Sequence, residues 1–93
     1  MTIRRFREIH GLSQAALAER VILPNGKHLY QSAISIYERG LRSPSSLHWG
    51  VAEALSEASR RIARSGLGRE PEPGEYIQVK DLVHLDLLAR RET

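Results

Sequence analysis

The chain has no cysteine, one methionine, one tryptophan and one phenylalanine in 93 residues. Without thiols it can form neither a disulfide nor a thiolate metal site, a usage that matches a reducing compartment, so a cytoplasmic location is expected. No apolar run approaches the roughly 18 residues that a membrane span requires, and no membrane partner is expected. The basic start, Met1 to Arg7, is not followed by the apolar core of about 7–15 residues that marks a signal peptide. Paired carboxylates, a nucleophile with its base and a phosphate-binding glycine loop are also missing at useful spacing. His10, His28, His48 and His84 are scattered without local ligand partners. An enzyme, a metal site and a cofactor are therefore not expected.

Charge is present, and it is unevenly placed. Residues 1–65 carry ten Lys/Arg against five Asp/Glu, whereas residues 66–93 carry four against six. A basic body with a mildly acidic tail suits a body that meets phosphate, although the same charge spread over a solvated helical surface would mean nothing. The length allows one small domain with a short appendage. Its modest core makes oligomerisation the expected source of extra support.

Along the chain, Ile3, Phe6 and Ile9 recur three apart and predict a first helix from about Thr2 to His10, capped by Thr2 and stopped by Gly11. Ser13 can cap a second helix whose buried stripe is Leu17, Ala18 and Val21. Nine residues, Ile22 to Tyr30, follow. Asn25-Gly26 is a favoured two-residue hairpin pair and its flanks suit strands, but Pro24 argues for a short or irregular hairpin. This segment reads either as a small wing that brings Lys27 to a DNA backbone, or as an ordered surface loop packed by Leu29 and Tyr30. A third helix spans about Gln31 to Arg39, with Ile34 and Tyr37 three apart and Gly40 as its stop. Its other face offers Gln31, Ser32, Ser35, Ile36 and Arg39. Amides and hydroxyls match base edges, and an isoleucine can meet a thymine methyl or be a stray apolar surface residue. Arg39, Arg42 and Ser43 are candidates for phosphate contacts. Gln14, at the first turn of the second helix, can also bond a phosphate oxygen.

Pro44 and Ser45 open a further helix. Leu47, Val51, Leu55, Ala58 and Ile62 form one stripe to about Ser65, with a break near Ser56 as the alternative. Residues 66–75, rich in glycine, proline and acid, read as a linker. Tyr76 to Val79 is a strand candidate, followed by a helix from Leu82 capped by Asp81. The apolar Tyr76, Ile77, Val79, Leu82 and Leu85 must be covered by their own domain or by a second chain. A dimerisation element over residues 76–93 is the preferred expectation.

Arg7, Ser13-Gln14, Leu17-Ala18, Ile34-Ser35, Glu38-Arg39-Gly40, Pro44-Ser45 and Ala52-Glu53-Ala54-Leu55 occur in the order of a known pattern. Residues 3 to about 55 resemble the Cro/repressor-type helix-turn-helix family, the lambda-repressor-like xenobiotic-response-element regulators. The resemblance implies a mainly α bundle of four to five helices over residues 1–65, here with a small hairpin inserted between the second and third. An ordinary turn at that place has about 3–4 residues. It further implies an ion pair between Arg7 and Glu38, a DNA contact from Gln14, and base reading by Gln31, Ser32, Ser35 and Ile36. The expected function is a homodimeric transcriptional repressor that binds a palindromic operator in double-stranded DNA. The competing expectation is an antitoxin or adaptor that binds a toxin or other protein through its C-terminal element.

Overall fold

The computed structural model describes residues 1–39 and 49–82. Over these residues the chain is mainly helical: α1 (Ile3–His10), α2 (Gln14–Arg20), α3 (Gln31–Glu38) and α4 (Trp49–Leu67), then a short 3-10 turn at Pro73–Glu75. Local signals set the helix ends. The Thr2 hydroxyl accepts from the Arg5 amide at 3.1 Å and the Ser13 hydroxyl from the Ala16 amide at 3.0 Å. Each satisfies an amide that has no partner inside its helix. Gly11 closes α1 with φ +63°, a backbone state that costs a glycine little.

Each helix contributes one face to a common core. Ile3 and Phe6 come from α1, Leu17 and Ala18 from α2, and Ile34 and Tyr37 from α3. Val51, Ala52, Leu55, Ala58 and Ala63 of α4 complete the apolar floor. Ile9 departs from the expected stripe and is 54% exposed. The helix α4 runs unbroken past Ser56 and two residues beyond Ser65, to Leu67, where Gly68 (φ +71°) turns the chain. Leu47 and the proposed helix start at Pro44 and Ser45 lie outside the described residues, as does Leu85.

Between α2 and α3 the chain makes a minimal hairpin. Ile22 and His28 form an isolated antiparallel bridge, flanked by Leu23 N–H to Lys27 O at 2.8 Å and Leu29 N–H to Val21 O at 2.9 Å. The hairpin is short and irregular, as Pro24 leads one to expect, and its turn is not the two-residue Asn25-Gly26 type, which needs positive φ at both central residues. Only Gly26 has it, at +84°. Gly26 N–H instead bonds Leu23 O at 2.9 Å, which puts Pro24 and Asn25 at the centre of a type I turn. Gly26 then supplies the left-handed residue of a three-residue loop.

The tail also departs from expectation. Tyr76 to Val79 is not a strand; residues 79–82 begin a helical turn. Asp81 lies within that turn and not at its cap, and its carboxylate reaches back to the Gln78 amide at 3.0 Å. Ile77 and Leu82 are buried in the core of their own chain at 0% and 1% exposure, with Tyr76 and Val79 packed partly against it. These apolar side chains find cover within the monomer. The residues read as a linker are fastened too. Arg69 makes a two-pronged contact with Glu75 at 2.9 and 3.0 Å, and Arg60 Nε reaches Glu70 at 2.6 Å.

Candidate nucleic-acid interface

Helix α3 is divided along its length. Ile34 and Tyr37 are buried, while Gln31, Ser32 and Arg39 are exposed and Ser35 and Ile36 are half-buried. Spacing of three places the first pair inward, and the residues around them are polar or small enough to face water. Ile36 is less free than its sequence setting suggested, because it packs partly against the core. Arg39 Nε lies 3.4 Å from the Ser35 carbonyl, and its side chain remains in solvent. Lys27 is exposed on the hairpin that feeds α3. Arg42 and Ser43 lie outside the described residues.

The orientation of α3 is fixed by a cluster at its far end. Arg7 Nε donates to Glu38 Oε1 at 2.5 Å and Arg7 Nη2 to Oε2 at 3.1 Å, a two-pronged pair that matches guanidinium to carboxylate geometry. Arg7 Nη1 donates to the Leu12 carbonyl at 3.1 Å, and Gln14 Nε2 donates to Glu38 Oε2 at 2.8 Å. The cluster thus joins α1, the turn after it, the start of α2 and the end of α3. The Arg7 and Glu38 side chains are only 16% and 7% exposed. Burial by itself pushes the Glu38 carboxyl up. The hydrogen bonds from Arg7 and Gln14, with the Arg7 and Arg4 charges, outweigh it and hold Glu38 below its ordinary value of 4.5. The same pairing raises Arg7.

Gln14 is therefore engaged inside the protein as well as being a candidate for an outside contact. That bond was missed in the sequence because residues 24 apart carry no local register; only the third dimension brings them together. Tyr30, which the surface-loop alternative has packing the segment, is 67% exposed at the residue preceding α3, its ring tilted against that of His28 with centroids 6.2 Å apart. Leu29 is buried in the core, and Leu23 packs partly against it. Among the described residues there is no group of His, Asp or Glu able to hold a metal ion, and no helix is long and apolar enough to cross a membrane. Comparison with protein-family models, with curated proteins and with solved structures gives no match.

Proposed function

We propose that this chain is a sequence-specific double-stranded DNA-binding regulator of transcription, a lambda-repressor-like repressor, with α3 as its reading helix. The observation that carries this reading is the division of α3: Ile34 and Tyr37 hold it to the body while Gln31 and Ser32 stand in solvent at its start. A glutamine can pair with adenine N6 and N7 and a serine with several base edges, so this pair is suited to reading the major groove. The Arg7–Glu38–Gln14 cluster supports the reading, because base recognition needs the reading helix held in one orientation relative to its neighbours. Lys27 and Arg39 are the cations of the described residues assigned to phosphate, with Ser35, Ile36 and the outer face of Gln14 at the edges of the contact. The regulator acts as a homodimer on a palindromic operator, with two reading helices about one turn of DNA apart. Its two-fold contact uses surface other than Ile77 and Leu82, which are already buried.

The test is selection of bound fragments from random duplexes, followed by competition with scrambled DNA. A selected site is expected to win, with affinity falling steeply as salt rises. Replacing Gln31 and Ser32 together by Ala is expected to reduce the preference for that site by about tenfold or more, leaving weak salt-sensitive binding. If no fragment outcompetes the scrambled duplex, the reading fails.

A further inference from the structure

Most arginines of the described residues are engaged by carboxylates: Arg4 by Glu8, Arg7 by Glu38, Arg60 and Arg64 by Glu70, and Arg69 by Glu75. Arg20 and Arg61 form no ion pair with any carboxylate of the described residues, and they line the same groove. Arg61 has Glu57 four residues upstream, a favourable helical spacing, yet Glu57 lies near Arg60 instead at 3.9 Å. The floor of the groove is apolar. Ile22 of the hairpin, 49% exposed, faces Ala58 and Ile62 of α4 across a space of about 340 Å³, and Ser65 adds a hydroxyl at its edge.

We infer that this groove is a binding site for a small molecule with one carboxylate on a short apolar body. Two guanidiniums without a carboxylate partner among the described residues, beside aliphatic side chains, complement that combination: the arginines take the anion, and the exposed parts of Ile22 and Ile62 take the hydrocarbon. The size decides between a small molecule and a peptide. The space lies near the lower end of the range of roughly 300–1,000 Å³ for small-molecule sites. A helical peptide would need anchors over two or more turns, and three apolar side chains on one short floor do not supply them. Because Ile22 belongs to the hairpin that leads into α3, an occupant ties that hairpin to α4. The inference does not depend on DNA binding, and its test uses no DNA, so either can fail alone.

The test is a backbone-amide NMR titration of the full chain with hexanoate, and with hexanol as its uncharged match. Hexanoate is expected to move resonances around Ile22, Ala58, Ile62 and Ser65, and to bind about tenfold more tightly than hexanol. Arg20→Gln and Arg61→Gln are each expected to weaken hexanoate by about fivefold and leave hexanol unchanged, as exposed charge contacts would. Arg5→Gln, an exposed charge that does not line the groove, should change neither. Equal binding of acid and alcohol, or retention of hexanoate affinity in both groove variants, would overturn the inference. So would shifts of the same resonances on concentrating the protein alone, since the occupant would then be a second copy.

Discussion

Glu38 has more depending on it than any other side chain of the proposed reading helix. It accepts from Arg7 twice and from Gln14 once, and its 7% exposure leaves it little water to fall back on. Arg7→Met should therefore do more than remove one ion pair, because it leaves a carboxylate mostly buried with one weak partner. The expected cost is about 3 kcal/mol, the lower end for a broken buried pair since this one is only partly enclosed. Calorimetry or thermal circular dichroism should record a melting temperature lower by roughly 10 °C or more for a domain of this size. The same group sets an acid limb. Its folded pKa lies below its ordinary 4.5, so between the two values the unfolded chain binds more protons, and stability rises with pH there. The Glu38 contribution is complete above pH 4.5 and is lost as pH falls through the folded value. Denaturant titrations from pH 6 down to about 3 should show this fall in the native protein and a shallower one in Glu38→Gln. Glu75, lowered by its hydrogen bond from Arg69, adds a second, solvent-screened contribution, so Glu75→Gln is the control that should keep most of the slope. A second residue-scale case is Ser59, fully buried on α4. Its hydroxyl accepts from the Ile77 amide at 3.0 Å and donates toward the Ser56 carbonyl at 2.7 Å and the Ile77 carbonyl at 3.2 Å. Ser59→Ala strands the Ile77 amide away from water, at an expected cost of about 1–3 kcal/mol in chemical denaturation.

At the scale of elements, the hairpin separates what residue type dictates from what context decides. A turn near Asn25-Gly26 was legible because few residues accept positive φ. Its register was not, because Pro24 can open a type I turn as readily as it can disturb a ladder, and the three closing hydrogen bonds choose the first. Gly26→Ala measures the cost of the left-handed residue, and Asn25→Gly tests the register. A Cβ there meets nothing within 4 Å, so the cost is the backbone state alone, about 1–2 kcal/mol. Asn25→Gly should also destabilise: the φ of Asn25 is not positive, and its side chain accepts from the Lys27 amide at 3.0 Å. In a two-residue Asn25-Gly26 turn Asn25 would also take positive φ and Asn25→Gly would be tolerated far better, whereas Gly26→Ala would be costly in both; a urea midpoint for Asn25→Gly distinguishes the two. The helices were more legible than the hairpin. Thr2, Gly11 and Ser13 are punctuation that acts within a few residues, and the α4 stripe repeats often enough to outweigh a single Ser56. The strand read at Tyr76 to Val79 failed for the opposite reason. Four apolar-alternating residues satisfy strand and irregular chain alike, and Ser59, a polar residue on the apolar face of α4, was the unused sign that a backbone docks there. The exposed face of α3 could be read in outline from Ile34 and Tyr37, whereas the Gln14–Glu38 bond had no local signal at all.

For the molecule as a whole, the question is whether the tail is a separable piece or part of the body. Separable appendages leave a folded domain behind when removed. Here the core cluster that begins at Ile3 includes Ile77 and Leu82, and Asp81 receives the Met1 amino group at 3.1 Å as well as the Gln78 amide. Residues 80 apart are thus brought against each other, and both chain ends of the described body share one layer. Truncating a fully buried isoleucine or leucine to alanine costs about 2–5 kcal/mol. Domains of this kind have only about 5–15 kcal/mol in total. Ile77→Ala and Leu82→Ala should therefore each lower the melting temperature strongly without any change in association state, which light scattering measures alongside. Removing residues 76–93 should leave a chain without a cooperative melt, because the core cluster would lose Ile77 and Leu82 and the Ser59 hydroxyl would lose its Ile77 partner. A truncated chain that still melted cooperatively at the native midpoint would make the tail an independent unit, and the burial of Ile77 against α4 would then contribute nothing that the fold needs.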